Sequence, residues 1–299
     1  MNKIFLNILI LCLIVFSMCS SSDHRFYSMT NKQIDSILIH ISKKKMTITE
    51  RMNDYSEFFL GTPYSFTCVG DGPYALLETY PLVNFKETNC MAFCEHILAL
   101  AISDSWDNFF NNLQHIRYKD GLIGMRTRNH YTMGDWLPEN AWLLQDITRK
   151  VGGPYTQNLT RVISHLTFFK DKGIEDLRYV KADREITIDY IPSAYIKQVK
   201  TNLQVGDIGA LIFANKSDIF SAHMWIVAEE NGELLIRESS SSQNSTFDTV
   251  FDAWAEKIQQ AKRYAGIALM RVQDELNQPG RVIVPWEIPK LKEKNKKQR

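Results

Sequence analysis

The sequence has almost no net charge and few of the residues that oppose compact folding. Its 299 residues carry 35 basic and 34 acidic side chains, a formal charge of +1, with only 9 Pro and 14 Gly. Binding to nucleic acid needs a basic surface that displaces counterions, so no nucleic-acid partner is expected. An apolar content of 44% predicts a sizeable core and excludes disordered, collagen-like and coiled-coil chains.

The chain also lacks, at its start, an apolar run long enough to cross a bilayer, which takes about 20 residues. Lys3 precedes an apolar stretch from Ile4 to Phe16 that only Asn7 interrupts. This pattern is typical of the hydrophobic region of a secretory signal peptide. We therefore predict that residues 1–18 are an export signal. The mature protein is expected in the periplasm or attached to the outer membrane.

The sequence has only five cysteines. Those near the N-terminus and those in the body of the chain suggest different roles. Cys19, followed by three serines, resembles a bacterial lipoprotein junction, although Met18 departs from the small residue preferred there. Membrane anchoring through a lipidated Cys19 and simple secretion both remain open. The body retains three thiols, which cannot all pair and which suggest a reactive cysteine in an exported protein: Cys68, Cys90 and Cys94.

The remaining ends are polar. Residues 19–30 are predicted to be a tether, and residues 290–299 hold six basic residues and one acidic residue. We predict a solvated, frayed basic tail, with contact to an anionic wall polymer or lipid as the alternative. Residues 31–289 form one predicted domain because no repeat or interior linker interrupts them.

The order of helical and strand patterns predicts an α+β fold. Caps and apolar spacing predict helices from Asn31, from Thr47 to Gly61, from Thr88 or Asn89 through 102, over 105–116 and over 159–169. Strands are predicted over 185–191, 208–214, 223–228 and 233–237, with a tight turn at Asn231-Gly232 between the last two. Residues 62–86 and 118–140 are predicted to be loops, the second one aromatic and basic.

Cys90 is the thiol best placed for nucleophilic chemistry. It follows Asn89 at the start of a predicted helix, where unpaired backbone N–H groups favour the thiolate. Cys94 lies one turn later beside an apolar run and is predicted to be buried and inert. From these residues alone, the alternative is that both cysteines are small core residues.

A thiol nucleophile also needs a base, usually a histidine from another part of the fold. Five of the seven histidines lie at the mature N-terminus or in predicted helices, which leaves His130 and His223. His223 opens a strand, a rigid place for a base, although a single strand histidine is more often structural. Glu238 or Ser239, at the end of the paired strand, is placed to orient the imidazole.

The joint order of these motifs resembles the NlpC-type papain-like cysteine amidases of bacterial cell walls, and more narrowly their N-acetylmuramoyl-L-alanine amidase-like branch. The resemblance covers about residues 34–271 and implies a papain-like fold, in which a helical half carries the nucleophile helix and packs on an antiparallel sheet carrying the histidine. The matching segments are Leu-Gly-Thr-Pro-Tyr at 60–64, Asn-Cys-Met-Ala-Phe-Cys-Glu at 89–95, Arg-Asn-His-Tyr at 128–131, Asp-Trp at 135–136, Gly-Asp at 206–207, Ala-His-Met-Trp at 222–225 and Ile-Arg-Glu-Ser at 236–239.

The resemblance implies hydrolysis of the amide between the lactyl group of N-acetylmuramic acid and L-Ala, on soluble or 1,6-anhydro-muropeptides. Cys90 would attack the carbonyl and His223 would transfer the protons, with disaccharide-peptide fragments of peptidoglycan as partners and no cofactor. Tyr64 and the Cys90 backbone N–H would stabilise the oxyanion. Five residues of the excursion are assigned to substrate recognition, with a loop packed by its own aromatics as the alternative: Arg128, His130, Tyr131, Asp135 and Trp136.

Several positions depart from the branch pattern. Asn89 replaces an acidic residue, Cys94 replaces the usual Val, and Trp225 replaces a small residue and is expected to narrow the groove. The third catalytic position falls on Glu238 or, with a one-residue slip, on Arg237. A carboxylate stabilises an imidazolium whereas a guanidinium opposes it, so we choose Glu238.

Two other functions remain open. An endopeptidase of the same fold would cut between γ-D-Glu and diaminopimelate, and a wall-binding lipoprotein would retain the fold without catalysis. A metal site is not predicted, because the sequence has neither His-Glu-x-x-His nor paired Cys-x-x-Cys spacing.

Overall fold

The computed structural model describes residues 25–298, so the predicted export signal and Cys19 lie outside the described residues. The described helices are α1 Asn31–Ser42, α2 Ile48–Glu57, α3 Cys90–Ala101, α4 Trp106–Arg117, α5 Leu137–Glu139, α6 Thr148–Gly152, α7 His165–Asp171, α8 Phe251–Gln260 and α9 Ile288–Gln298. The described strands are β1 Leu144–Asp146, β2 Gln157–Ile163, β3 Arg184–Pro192, β4 Ile208–Phe213, β5 Ser221–Glu230, β6 Glu233–Ser240, β7 Ser245–Val250 and β8 Tyr264–Val272.

The strands form one sheet in the order β2-β3-β8-β4-β5-β6-β7, with β1 pairing the end of β8. Every pairing among these described strands is antiparallel. The hairpin between β5 and β6 turns at Asn231 and Gly232, whose φ angles are 52° and 82°. Asn and Gly tolerate this left-handed region best. The predicted α+β class, with helices and an antiparallel sheet, is confirmed.

Capping boxes start the first two helices; the one at Thr47 is predicted from the sequence, whereas α1 is capped by Thr30 rather than by the expected Asn31. Thr30 and Gln33 cap α1, and Thr47 and Glu50 cap α2 by reciprocal side-chain-to-backbone hydrogen bonds. Helix α2 ends at Glu57 rather than Gly61, because a turn intervenes before Gly61 takes a φ of 78°.

The sheet separates two apolar cores. Met224 and Ile226 of β5 pack in the core shared with α1–α4. Trp225 and Val227 alternate with them and pack in the core under α8. This alternation follows from the period of two along a strand, and it holds β5 firmly between helices on both faces.

The helix predicted over 159–169 is wrong in its first half. Residues 157–163 form β2, and α7 begins only at His165. Arg161 and Ile163 are buried while Thr160 and Val162 are exposed, which is the alternation of a strand. The hydroxyls of Thr160 and Thr187 lie 2.7 Å apart across the pair with β3, so pairing with a distant segment decides this conformation.

The two ends of the described chain also pack on the body. Phe26 is fully buried and contacts the rings of Phe58, Phe59 and Phe85, so residues 25–30 pack on the body rather than extend from it. The basic tail, expected to fray, forms α9, where Ile288 is buried. Among residues 25–298, none of the helices combines the length and the apolar character that crossing a membrane requires.

Candidate active site

Cys90 is the first residue of α3, and its neighbour Asn89 caps that helix. The Asn89 side chain accepts a hydrogen bond from the Ala92 backbone N–H at 2.9 Å and donates one to the Phe66 carbonyl at 3.0 Å. Asparagine is among the preferred caps, which explains why the helix begins here. The backbone N–H groups of Met91 and Met224 hydrogen-bond the half-buried Cys90 sulfur. The thiol therefore lies where partial positive charge collects.

His223 reaches this thiol from an irregular point of β5. Leu211 pairs with His223 and Ile212 pairs with Ser221, so Ala222 is an extra residue on β5. Such a bulge redirects neighbouring side chains. The imidazole hydrogen-bonds the Cys90 sulfur, and its Nε2 lies 2.5 Å from Glu238 Oε2. The structure thus brings together the three residues predicted for catalysis.

The charges of this group support one another. Burial opposes the thiolate, but the positive charge and hydrogen bond of His223 lower the pKa of Cys90 below its usual value. Burial likewise opposes the imidazolium, but Cys90 and then Glu238 raise the pKa of His223 to about 10. At neutral pH the arrangement therefore favours a thiolate beside an imidazolium.

The choice between Glu238 and Arg237 is also visible. Arg237 is buried and donates two hydrogen bonds of 2.7 Å to Asp248 and one of 2.8 Å to Ser56. Its guanidinium is therefore held by β7 and α2, whereas the Glu238 carboxylate faces the imidazole.

Cys90 and His223 line a cleft of about 390 Å³. Tyr64, Arg128 and His130, all predicted as site residues, line the same cleft. Trp225 does not narrow it, contrary to expectation, because that side chain is fully buried against Trp254 in the other core. The space close to Cys90 is bounded instead by Tyr64, Asn89 and Met224.

Arg128 and His130 are both held in place. Arg128 lies 2.5 Å from Glu78 and 3.2 Å from Asp71, so its charge is already balanced by two carboxylates. His130 Nε2 lies 2.7 Å from the Met125 carbonyl, and its ring packs against Phe168 at 4.4 Å between centroids. Burial lowers the pKa of His130 to about 4. His130 therefore presents a neutral ring to the cleft at pH 7.

Three other residues assigned to substrate recognition lie elsewhere, which corrects the prediction. Trp136 is fully buried in the helical core. Asp135 is buried and binds His165, Lys181 and Arg184 at 2.7, 2.8 and 2.9 Å. The Tyr131 hydroxyl donates to the Ser164 carbonyl at 3.2 Å. These side chains pack the excursion against α7 and β3, which is the alternative left open above.

Several cleft residues escaped prediction. Glu95 of α3 and Arg117 of α4 form a buried ion pair of 2.7 Å that lines the cleft. Lys172 joins Glu78 at 3.1 Å, linking the end of α7 to the loop before α3. Glu95 stands in the nucleophile motif, so its position in the sequence could have indicated a role in the cleft. Its partner Arg117 lies 22 residues later in the chain, and no sequence pattern indicates that it pairs with Glu95.

The other two body cysteines differ from Cys90. Both are buried, and burial raises the pKa of Cys68 to about 12 and that of Cys94 well above its usual value. They are therefore protonated, unreactive thiols. Within the part of the chain that the structure describes, no group of three or more His, Cys, Asp or Glu side chains is arranged to hold a metal ion.

A family model described as AmiA-like, N-acetylmuramoyl-L-alanine amidase-like, matches residues 54–262. No curated protein matches the chain.

Several solved structures share this fold. A Legionella pneumophila protein of family DUF1460 superposes with a TM-score of 0.70 at 21% identity, covering 81% of this chain and 95% of that one; this likeness shows the fold alone. An N-acetylmuramoyl-L-alanine amidase from Bacteroides uniformis gives a TM-score of 0.58 at 26% identity, covering 76% and 99%. A Bacteroides fragilis protein with a provisional xylanase name gives 0.59 at 26% identity, covering 72% and 98%.

Proposed function

The chain belongs to the AmiA-like, N-acetylmuramoyl-L-alanine amidase-like family, and we propose that it is a papain-like cysteine amidase of the NlpC type. Its substrate is the amide between the lactyl group of N-acetylmuramic acid and L-Ala, in soluble or 1,6-anhydro-muropeptides. The observation that carries the proposal is the Cys90–His223–Glu238 group, whose cysteine and histidine line one cleft.

The reaction proceeds in two halves. The Cys90 thiolate attacks the lactyl carbonyl carbon, and the His223 imidazolium gives its proton to the L-Ala nitrogen, which leaves as the free amine of the peptide. A thioester remains on Cys90. Water then gives a proton to His223 and adds to the thioester carbonyl, which releases the lactyl carboxylic acid and restores the thiolate–imidazolium pair.

Glu238 is the positioning residue in this scheme. Its contact of 2.5 Å with Nε2 leaves the other ring nitrogen for the sulfur and the leaving amine. A carboxylate there stabilises the imidazolium during both halves of the reaction. The backbone N–H of Cys90, at the positive end of α3, and the Tyr64 hydroxyl stabilise the oxyanion.

The other cleft residues suit the two parts of the substrate. The neutral His130 ring and the adjacent Phe168 offer apolar faces to the sugar, while Arg128 and Lys172 add cationic groups near the peptide carboxylates. Both cations already contact Glu78, so substrate carboxylates would compete with that side chain.

A glycosidase would need two free carboxyl groups flanking the scissile bond. The carboxylates that line this cleft, Glu78 and Glu95, are each bound to a cation, whereas the cysteine carries the lowered pKa. The site therefore favours acyl transfer over the chemistry that the name xylanase describes.

Digestion of a defined disaccharide-peptide, followed by mass spectrometry, tests the proposal. We expect an intact disaccharide and a free peptide that begins with L-Ala. A disaccharide-dipeptide product would identify the endopeptidase instead. Cys90→Ala should abolish turnover, while Cys94→Ala, which removes a buried thiol one turn away, should retain it. Persistent turnover in Cys90→Ala would refute the cysteine mechanism, and no turnover in the unmodified protein would favour a wall-binding role.

We further propose that the protein acts outside the cytoplasm, in the periplasm or at the outer membrane, because residues 1–18 have the pattern of an export signal. Fractionation of cells that express the chain and a Cys19→Ser variant separates the two cases. Loss of the membrane-bound fraction in the variant indicates lipidation, and an unchanged soluble periplasmic fraction indicates simple secretion. Retention of both chains in the cytoplasm would contradict export.

A further inference from the structure

Three loops near the cleft carry large apolar side chains that face solvent. We call this surface the apolar rim. It consists of the tips of loop A (residues 69–83), loop B (residues 118–128) and loop C (residues 172–183). Leu76 and Tyr74 of loop A are 99% and 98% exposed, and Tyr179 of loop C is 94% exposed. The other exposed members are Leu77, Leu122 and Ile123.

The three loops are tied to one another at their bases, so the exposed tips belong to one region. Asp71 of loop A accepts a hydrogen bond of 2.8 Å from the Tyr118 hydroxyl of loop B and lies 3.2 Å from Arg128. Arg126 of loop B pairs with Asp176 of loop C at 3.0 Å. Exposed apolar side chains that cluster in one region mark an interaction site, whereas isolated exposed residues do not.

A basic helix flanks the rim. Lys292 of α9 lies 3.4 Å from Asp120 of loop B, which places α9 beside the tips Leu122 and Ile123. Residues 288–298 hold five lysines and one glutamate. Carboxylates pair with three of these lysines, Lys292, Lys294 and Lys297, while Lys290 and Lys296 are exposed. The region therefore combines apolar tips with two exposed lysines on the neighbouring helix.

We propose that the apolar rim and α9 dock the protein on an anionic phospholipid bilayer. Aliphatic tips such as Leu76, Leu122 and Ile123 suit hydrocarbon, and tyrosines suit the interface between headgroups and acyl chains. Lysines near such a surface add attraction to anionic headgroups.

Two other occupants fit less well. A glycan strand is recognised through aromatic faces and hydrogen bonds, which Tyr74 and Tyr179 offer but the four aliphatic tips, Leu76, Leu77, Leu122 and Ile123, do not. A second copy of the chain would bring two positive α9 helices together. Phe66 and Tyr80 of the cleft wall lie in and next to the same loop region as Tyr74 and Leu76, so docking would hold the cleft close to the membrane surface.

Vesicle sedimentation tests the proposal with the mature chain, residues 19–299 carrying Cys19→Ser, so that neither the predicted export signal nor an acyl chain supplies affinity. The probe is a vesicle of phosphatidylethanolamine and phosphatidylglycerol, compared with pure phosphatidylcholine. We expect binding to the anionic vesicles that weakens at high salt. Leu76→Ser combined with Leu77→Ser should weaken it by at least about tenfold. Lys290→Gln with Lys296→Gln should weaken it by about fivefold per lysine.

The matched control is Ile39→Ser combined with Val162→Ser, two exposed apolar residues on α1 and β2, which should bind as the parent does. All variants should retain turnover of a soluble disaccharide-peptide, which shows that they fold. Absence of vesicle binding, or equal binding by the loop A variant, would overturn the proposal. Loss of binding to purified wall sacculi, or of self-association, in the loop A variant without any vesicle binding would assign the rim to those occupants instead.

Discussion

Two histidine–carboxylate pairs in this protein look alike and differ in every neighbour. His223 lies 2.5 Å from Glu238, and His165 lies 2.7 Å from Asp135. The first pair borders the cleft and touches the Cys90 sulfur. The second is closed off by Lys181 and Arg184. A histidine beside a carboxylate is therefore not a catalytic signature in itself; the group on the other side of the imidazole decides its role.

The carboxylates of the two pairs, Asp135 and Glu238, also have different neighbours. Burial alone would raise the pKa of Asp135, but hydrogen bonds from His165 and Lys181 lower it well below its usual range. Asp135 therefore stays ionised and serves packing. At the other pair, Glu238 stabilises positive charge on a histidine that gives that proton away in the proposed mechanism. One carboxylate is satisfied by fixed cations, and the other supports a proton that moves.

Substituting the histidine of each pair should produce the largest difference between them, and that difference should be in activity. His223→Asn should lower kcat/KM by about 10⁴-fold, because both proton transfers and the thiolate depend on it. His165→Asn should leave kcat/KM within a few-fold and lower thermal stability instead. Steady-state kinetics and thermal unfolding of both variants provide the measurement. A similar loss of kcat/KM in both would contradict the distinction between the pairs.

A substitution in the His165–Asp135 pair should change the stability of the fold. Asp135→Asn removes the charge that three cationic or polar partners surround, so we expect the free energy of unfolding to fall by about 3 kcal/mol at neutral pH. Because the folded pKa of Asp135 is depressed, its contribution is fully present above its unfolded pKa of about 4 and is lost as pH falls through the folded value.

Denaturant unfolding of the parent and Asp135→Asn from neutral to acidic pH checks this expectation, and the difference between them should shrink below about pH 4. The control is Asp189→Asn, whose partner Arg149 is largely exposed; it should cost no more than about 1 kcal/mol. A difference that grows with acidity would be inconsistent with a depressed pKa.

The comparison also explains what could be predicted from sequence. Cys90 and His223 occupy positions that local patterns define, a helix start after an asparagine cap and the opening of a strand. The family resemblance assigns Asp135 to substrate recognition, whereas its partners, Lys181 and Arg184, lie 46 and 49 residues away in segments with no pattern that points to it. The pattern over 159–169 predicts a helix, but pairing with β3 makes residues 157–163 a strand. Contacts between residues far apart in the sequence therefore decide both the role of Asp135 and the conformation of residues 157–163.

The preference for Glu238 over Arg237 came from charge alone, and strand register supplies a second argument. Arg237 pairs with Ile226 of β5 and reaches Asp248 across the β6–β7 pair. Successive residues of a strand point to opposite faces, so a one-residue slip exchanges a carboxylate at the imidazole for a guanidinium. The sequence does not reveal the register of β6. The charge that an imidazolium tolerates was nevertheless enough to select Glu238 over Arg237.

The pH dependence of kcat/KM should also distinguish the two pairs, although by a smaller effect. The lowered pKa of Cys90 and the pKa of about 10 for His223 define the window of the thiolate–imidazolium pair. Alkylation of Cys90 by iodoacetamide and kcat/KM should both rise as pH increases through the thiol pKa. Only kcat/KM should then fall through about pH 10, when His223 loses the proton that the leaving amine needs.

Glu238→Gln should reduce kcat/KM by about 10- to 100-fold and move the alkaline limb to lower pH, because the carboxylate is one of the groups that raise the pKa of His223. Asp135→Asn should leave both limbs in place, since its charge is taken up by His165, Lys181 and Arg184. An alkaline limb that stays fixed in Glu238→Gln would mean that the glutamate only packs against the imidazole. The two histidine pairs would then differ through Cys90 alone.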